Sequence, residues 1–132
     1  AVPASAVKVE LVAIITGHGA ADGNQCAEFC DHQHNFTVNG TEHRKTHPAI
    51  GNPLGCLETI GTGTVPNQSG TWWTGRGGWC PGRQVDPYVI DVTDLVPAGG
   101  TATIEYSALW DGRAPPPSGG NILMNSWLVV YE

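Results

Sequence analysis

Positive charge is scarce in this 132-residue sequence: six Lys and Arg stand against twelve Asp and Glu, a formal charge of −6. No basic patch can be assembled from so few cations, which sets aside nucleic acid and anionic membrane surfaces as partners. Long apolar runs are missing too. The longest, around Val9 to Ile15 and Trp127 to Tyr131, fall far short of the ~20 residues that a bilayer span needs. The chain has no amphipathic helical stretch, no internal repeat, no low-complexity tail and no nucleophile elbow, so a serine, cysteine or paired-carboxylate hydrolase finds no support. A signal peptide is also absent, and Ala1 reads as a mature or excised start. Glu132 follows directly on a strand, which fits a domain excised from a larger secreted protein.

What is abundant is turn chemistry. Eighteen glycines and ten prolines in a chain of low charge (14%) suit many short strands joined by turns. Strands are expected over residues 7–16, 27–38, 41–47, 88–92, 101–110 and 122–131, with Asn39-Gly40 as a two-residue hairpin turn. Residues 49–71 and 114–120 read as loops. Seven or eight short strands without a helix predict an all-β fold, a single jelly-roll β-sandwich over residues 1–132. Four cysteines in such a chain read as two disulfides, and spacing favours Cys26 with Cys30 and Cys56 with Cys80. Disulfides in turn imply an oxidising compartment, secreted or periplasmic.

The segment CDHQHNF places His32 and His34 two apart on one strand, so both project from the same face, ~6 to 7 Å apart at Cα. The hairpin register puts Phe36 opposite His43, His34 opposite Lys45 and His32 opposite His47. Most such pairs are solvated strand residues. The one methionine, Met124, would make with them a soft set suited to copper, although a single Met among Ile, Leu and Val is commonly core filler.

Two resemblances bear on these residues. The segments ITGHG, CAEFCDHQH and GRGGWCPG, in this order, resemble the C-terminal jelly-roll domain of the peptide:N-glycosidase F family, bacterial amidases that remove N-glycans from asparagine. The likeness implies the same two disulfide pairings and a candidate catalytic or substrate-positioning role for Glu28 and Arg76. In that family the key catalytic aspartate sits on an N-terminal jelly roll that this chain does not supply, and a tryptophan after the first strand is His18 here. Separately, HQHNFTVNG and GGNILMNSWLVVY resemble, at fold level, the copper-binding segments of monooxygenases related to peptidylglycine α-hydroxylating monooxygenase. That likeness implies one copper per chain, held by His32, His34 and Met124, with His18 as a further ligand or hydrogen-bonding neighbour.

Two functions are therefore expected. The first is a mononuclear copper site with an open position for monooxygenase-like redox chemistry. The second is a glycan- or glycopeptide-binding domain of an N-glycan amidase, completed by a second jelly-roll domain, with Trp72, Trp73 and Trp79 as aromatic platforms near Arg76. On the bland side, Trp79 and Trp127 are core residues, and Glu28 and Arg76 a turn carboxylate and its bridge.

Overall fold

The fold was analysed in a computed structural model that describes residues 1–19, 27–66, 70–115 and 120–132. Its longest strands come from the two most β-branched stretches of the sequence. β1 (Lys8–His18) alternates strictly, sending Val9, Leu11, Ala13 and Ile15 inward and Val12 and Ile14 outward. Those outward aliphatics are why the pattern looks imperfect in the sequence. β6 (Asn121–Tyr131) pairs antiparallel with β1 along its whole length, and β4 (Tyr88–Asp91) pairs with the other edge of β1. Together they form a sheet of order β4-β1-β6.

The second sheet, of order β3-β2-β5, is built from β2 (Gln33–Val38), β3 (Thr41–Lys45) and β5 (Ile104–Leu109). The turn between β2 and β3 has positive φ at both Asn39 (45°) and Gly40 (87°), as a tight hairpin of right-handed strands requires. It fixes the register expected from the sequence: Val38 faces Thr41, Phe36 faces His43, and His34 faces Lys45. Phe36, Val38 and the inward row of β1 meet in one core with Val2, Ile90, Val92 and Val96. The all-β two-sheet sandwich is thus borne out, with six strands rather than seven or eight among the described residues.

Three differences from expectation have simple causes. Residues 27–30 turn rather than extend, because the backbone there is held by Gly19 and Gly77. A short 3-10 helix (Leu57–Thr62) lies inside the expected loop and ends at Gly63 with φ 115°. Trp127 is 48% exposed, because the β1–β6 register sets it beside the outward Val12. The Cys56–Cys80 disulfide is formed and closes the loop region onto itself. The expected Cys26–Cys30 pairing falls on Cys26, outside the described residues.

Phe36 is 1% exposed and packs against Tyr88 and Tyr106, one from each sheet, at ring-centroid distances of 6.0 and 5.1 Å. Phe36→Ala is expected to cost about 3 to 5 kcal/mol, read as a fall in the urea midpoint at constant slope. A loss below about 1 kcal/mol would mean that the two sheets do not meet at this ring.

Candidate functional site

Three chain segments converge at one end of the sandwich: the end of β1 (residues 17–19), the turn at residues 27–29, and the loop at residues 72–79. Backbone hydrogen bonds stitch them together, from Gly17 N–H to the Gly77 carbonyl and from Gly77 N–H to the Glu28 carbonyl, both at 2.7 Å. Contact this close leaves no space for side chains. A Cβ on Gly17 would lie 1.8 Å from the Ala27 carbonyl oxygen, and one on Gly75 would lie 1.7 Å from that of Ala49. Gly17 of ITGHG and Gly75, Gly77 and Gly78 of GRGGWCPG are thus explained by backbone proximity.

The juncture carries a buried ion pair. Arg76 donates through Nε to Glu28 Oε1 at 2.7 Å, with side chains 2% and 16% exposed. Nη1 of Arg76 donates to the carbonyls of Trp72 and Thr74, both at 3.2 Å. Glu28 Oε2 accepts the Gly19 N–H at 3.2 Å. The guanidinium lies over the rings of Phe29 and Trp79, at 5.3 and 5.0 Å. Such a pair holds its geometry tightly, since removing either partner would leave a charge buried without compensation. Glu28 keeps one further lone pair on each oxygen and enough exposure to accept a hydroxyl or a water.

Around this clamp, Trp79 donates its indole N–H to the Gly17 carbonyl at 2.8 Å and stacks on His18 at 5.2 Å. Its ring is therefore engaged within the fold. Trp73 is 39% exposed and meets Trp72 edge-on at 5.8 Å, leaving this pair as the aromatic surface near Arg76.

The histidines adjoin this juncture from the core side, beside Gly17, Ala27 and Gly77, and are not on a wet face. His32 and His34 share parity with Phe36 and Val38 on β2, so they extend the core-facing side and are each 2% exposed. His34 Nδ1 pairs with the Tyr106 hydroxyl at 2.8 Å, and His32 Nδ1 donates to the Cys30 carbonyl at 2.9 Å. His47 closes over them, its ring 5.3 Å from that of His34. Nε2 of both His32 and His47 is buried without a hydrogen-bond partner among the described residues. Burial, reinforced by the neighbouring His47, His32 and Lys45, pulls the His34 pKa down to about 4. His47 is lowered as well, chiefly by burial and then by Lys45, with Asp31 opposing. The Tyr106 hydroxyl is pushed up to about 12 by burial, so it remains a donor to His34.

These placements overturn the copper reading. Met124 packs against the apolar core cluster, on the same parity of β6 as Leu128 and Val130. His18 is engaged by Thr16 and Trp79 rather than by His32 or His34. Among the described residues, no group of three or more His, Cys, Asp or Glu could hold a metal ion. Monooxygenase-like chemistry loses its basis with the site. Of the expected residues, the fold brings together Glu28 and Arg76, while Met124 is taken up by the core cluster and His18 by Thr16 and Trp79.

A two-sheet, disulfide-bonded β-sandwich with an acid–base clamp where three loops meet is the class of protein that results. The family model for the C-terminal domain of peptide-N-glycosidase F matches residues 1–129, and the chain belongs to that family. A curated relative, peptide-N(4)-(N-acetyl-beta-D-glucosaminyl)asparagine amidase F of Elizabethkingia miricola, is 34% identical over 110 residues, covering 79% of this chain and 29% of its own length. The crystal structure of a peptide-N(4)-(N-acetyl-beta-D-glucosaminyl)asparagine amidase aligns with 98% of this chain and 41% of its own, at TM-score 0.72 and 24% identity. The structure of PNGase F, a glycosylasparaginase from Flavobacterium meningosepticum, does so at TM-score 0.73 and 23% identity. At those identities the two structures establish the fold. The chain spans less than half the length of these relatives.

Two measurements follow from the geometry. His34 favours its neutral form in the fold, so its contribution to stability is full above pH 6.5 and is lost as pH falls toward about 4. The urea midpoint should drop over that window by up to about 3 kcal/mol of stability, and His34→Gln should flatten the dependence; an unchanged slope in the variant would assign it to other groups. Gly75→Ala should cost at least about 2 kcal/mol or prevent folding, because a backbone carbonyl must move. A wild-type urea midpoint for that variant would show the approach to be looser than drawn.

Proposed function

We propose that the chain is the C-terminal half of a secreted, peptide-N-glycosidase F-type amidase, and that its part is to bind and orient the glycan end of a glycopeptide. The observation that carries this reading is the Glu28–Arg76 clamp, built from the segments CAEFCDHQH and GRGGWCPG, with the exposed Trp73 just before Arg76 in the same loop region. Hydrolysing the glycosylated asparagine amide needs an attacking water and a proton for the departing glycosylamine. Glu28 suits sugar hydroxyls or an ordered water as an acceptor, while Arg76 fixes its orientation; the proton-transfer group would come from a second jelly-roll domain. The outward face of the β4-β1-β6 sheet supports such a domain, because Val89 (47%), Trp127 (48%) and Leu123 (58%) leave apolar surface uncovered there. An oxidising, extracellular or periplasmic setting fits the Cys56–Cys80 bridge.

Isothermal titration of the chain with a glycopeptide carrying chitobiosyl-asparagine tests the reading. Saturable binding is expected, weakened at least about tenfold by Glu28→Gln in protein that remains folded by circular dichroism, since a charge-assisted acceptor is lost. The chain alone should release no glycan. Equal affinity for the deglycosylated peptide, or an unchanged affinity in folded Glu28→Gln, would make the clamp a purely structural device.

A further inference from the structure

Although the chain is acidic overall, three of its six basic side chains line a single cleft of about 180 Å³. Lys45 comes from the end of β3, Arg76 from the clamp and Arg83 from the segment after the disulfide; Asp86 is the one acidic residue of the lining. Arg83 is bound to Asp86 at 2.6 Å and donates from Nε to the Thr59-side helix through Thr62 Oγ1 at 3.2 Å. Lys45 has no carboxylate within ion-pair reach among the described residues, its nearest described partner being the Tyr88 ring at 5.8 Å. Arg76 spends Nε on Glu28 and Nη1 on two carbonyls, and its Nη2 makes no hydrogen bond among the described residues. Arg76, its side chain 2% exposed and one nitrogen unused among the described residues, is thus part of the lining of a cleft that carries three cations against one carboxylate. Desolvated, fixed donors of this kind are worth far more toward an anion than exposed lysines on an open surface.

We propose that this cleft is an anion site for the carboxylate of one monosaccharide-sized group. The remaining Arg76 nitrogen, Nη2, has a single charge-assisted hydrogen bond to offer a carboxylate oxygen, with Lys45 as a neighbouring point charge. Trp79 and Pro48 supply an apolar wall for the remainder of the ligand. The volume is below the roughly 300 to 1,000 Å³ of pockets for drug-sized ligands, which suits a single acidic sugar unit or side chain. The assignment deepens the glycopeptide reading by naming an acidic substituent on the ligand, and rests on that reading only for the substituent's origin. Two sources share the chemistry: a sugar acid of the glycan, or an aspartate or glutamate of the peptide.

The test is a titration of the uniformly 15N-labelled chain, followed by amide shifts at Lys45, Gly78 and Arg83 and by the Trp79 indole N–H. The probes are the methyl glycoside of N-acetylneuraminic acid, blocked aspartate, and neutral methyl N-acetylglucosaminide. Saturable shifts with either acid, at least about tenfold tighter than with the neutral sugar and weakening as salt rises, are expected. Lys45→Gln and Arg83→Gln, each checked for a dispersed spectrum, should weaken the acid by a further factor of about ten. The tighter of the two acids identifies the source. Equal binding of acid and neutral sugar, an unchanged affinity in Lys45→Gln, or no binding of either acid overturns the assignment. The last result would leave the glycopeptide reading intact if chitobiosyl-asparagine still binds, so the two fail separately.

Discussion

The end of the molecule that carries the clamp depends on one interaction, the ion pair between Glu28 and Arg76. Each partner sits on a segment without regular secondary structure; Glu28 is tied to a third segment, the end of β1, through Gly19, and Arg76 to its own loop through the Trp72 and Thr74 carbonyls. A salt bridge this deeply buried adds little net stability, since desolvation offsets much of the Coulomb attraction. Its consequence is geometric. With Phe29 and Trp79 against the guanidinium and glycine backbones in contact beneath it, the loops have one arrangement available.

That rigidity links the sequence motifs to function. Gly17, Gly75 and Gly77 permit the backbone contacts, the disulfide anchors the loop that bears Arg76, and the carboxylate of Glu28 is held where its unused lone pairs reach solvent. A preorganised acceptor loses little entropy on binding a hydroxyl, which is how a small domain contributes to recognition without a deep pocket. The same arginine also lines the cationic cleft, so one residue belongs to both surfaces.

Much of the fold was legible because strand parity and turn chemistry are local. Asn39-Gly40 set the hairpin register, and the apolar stretches of β1 and β6 marked the central pairing. The site was legible only in part. Glu28 and Arg76 stood out through a motif whose long-range partner no local pattern could supply. The histidines were misjudged on a signal that was available: His32 and His34 have the parity of Phe36 and Val38, hence the core side, and Met124 has the parity of Leu128 and Val130. Spacing alone established that two imidazoles share a face, and could not say which layer that face meets. Lys45 and Arg83 gave no sequence signal, since 38 residues separate them and only the folded loops bring them to one cleft.

The buried histidines then have a physical reading without a metal. Ahead of Phe36, the inward-facing row of β2 is occupied by His34, with His32 just before the strand, so planar rings of intermediate polarity extend the core there. His34 stacks with Tyr106 at 6.2 Å and His32 with Trp110 at 6.4 Å, so the apolar layer grades into a hydrogen-bonded one. Neutral imidazole suits this position because one nitrogen satisfies a backbone or phenol group while the ring packs as an aromatic. Charge does not suit it: burial first, then the neighbouring His47, His32 and Lys45, oppose protonation of His34.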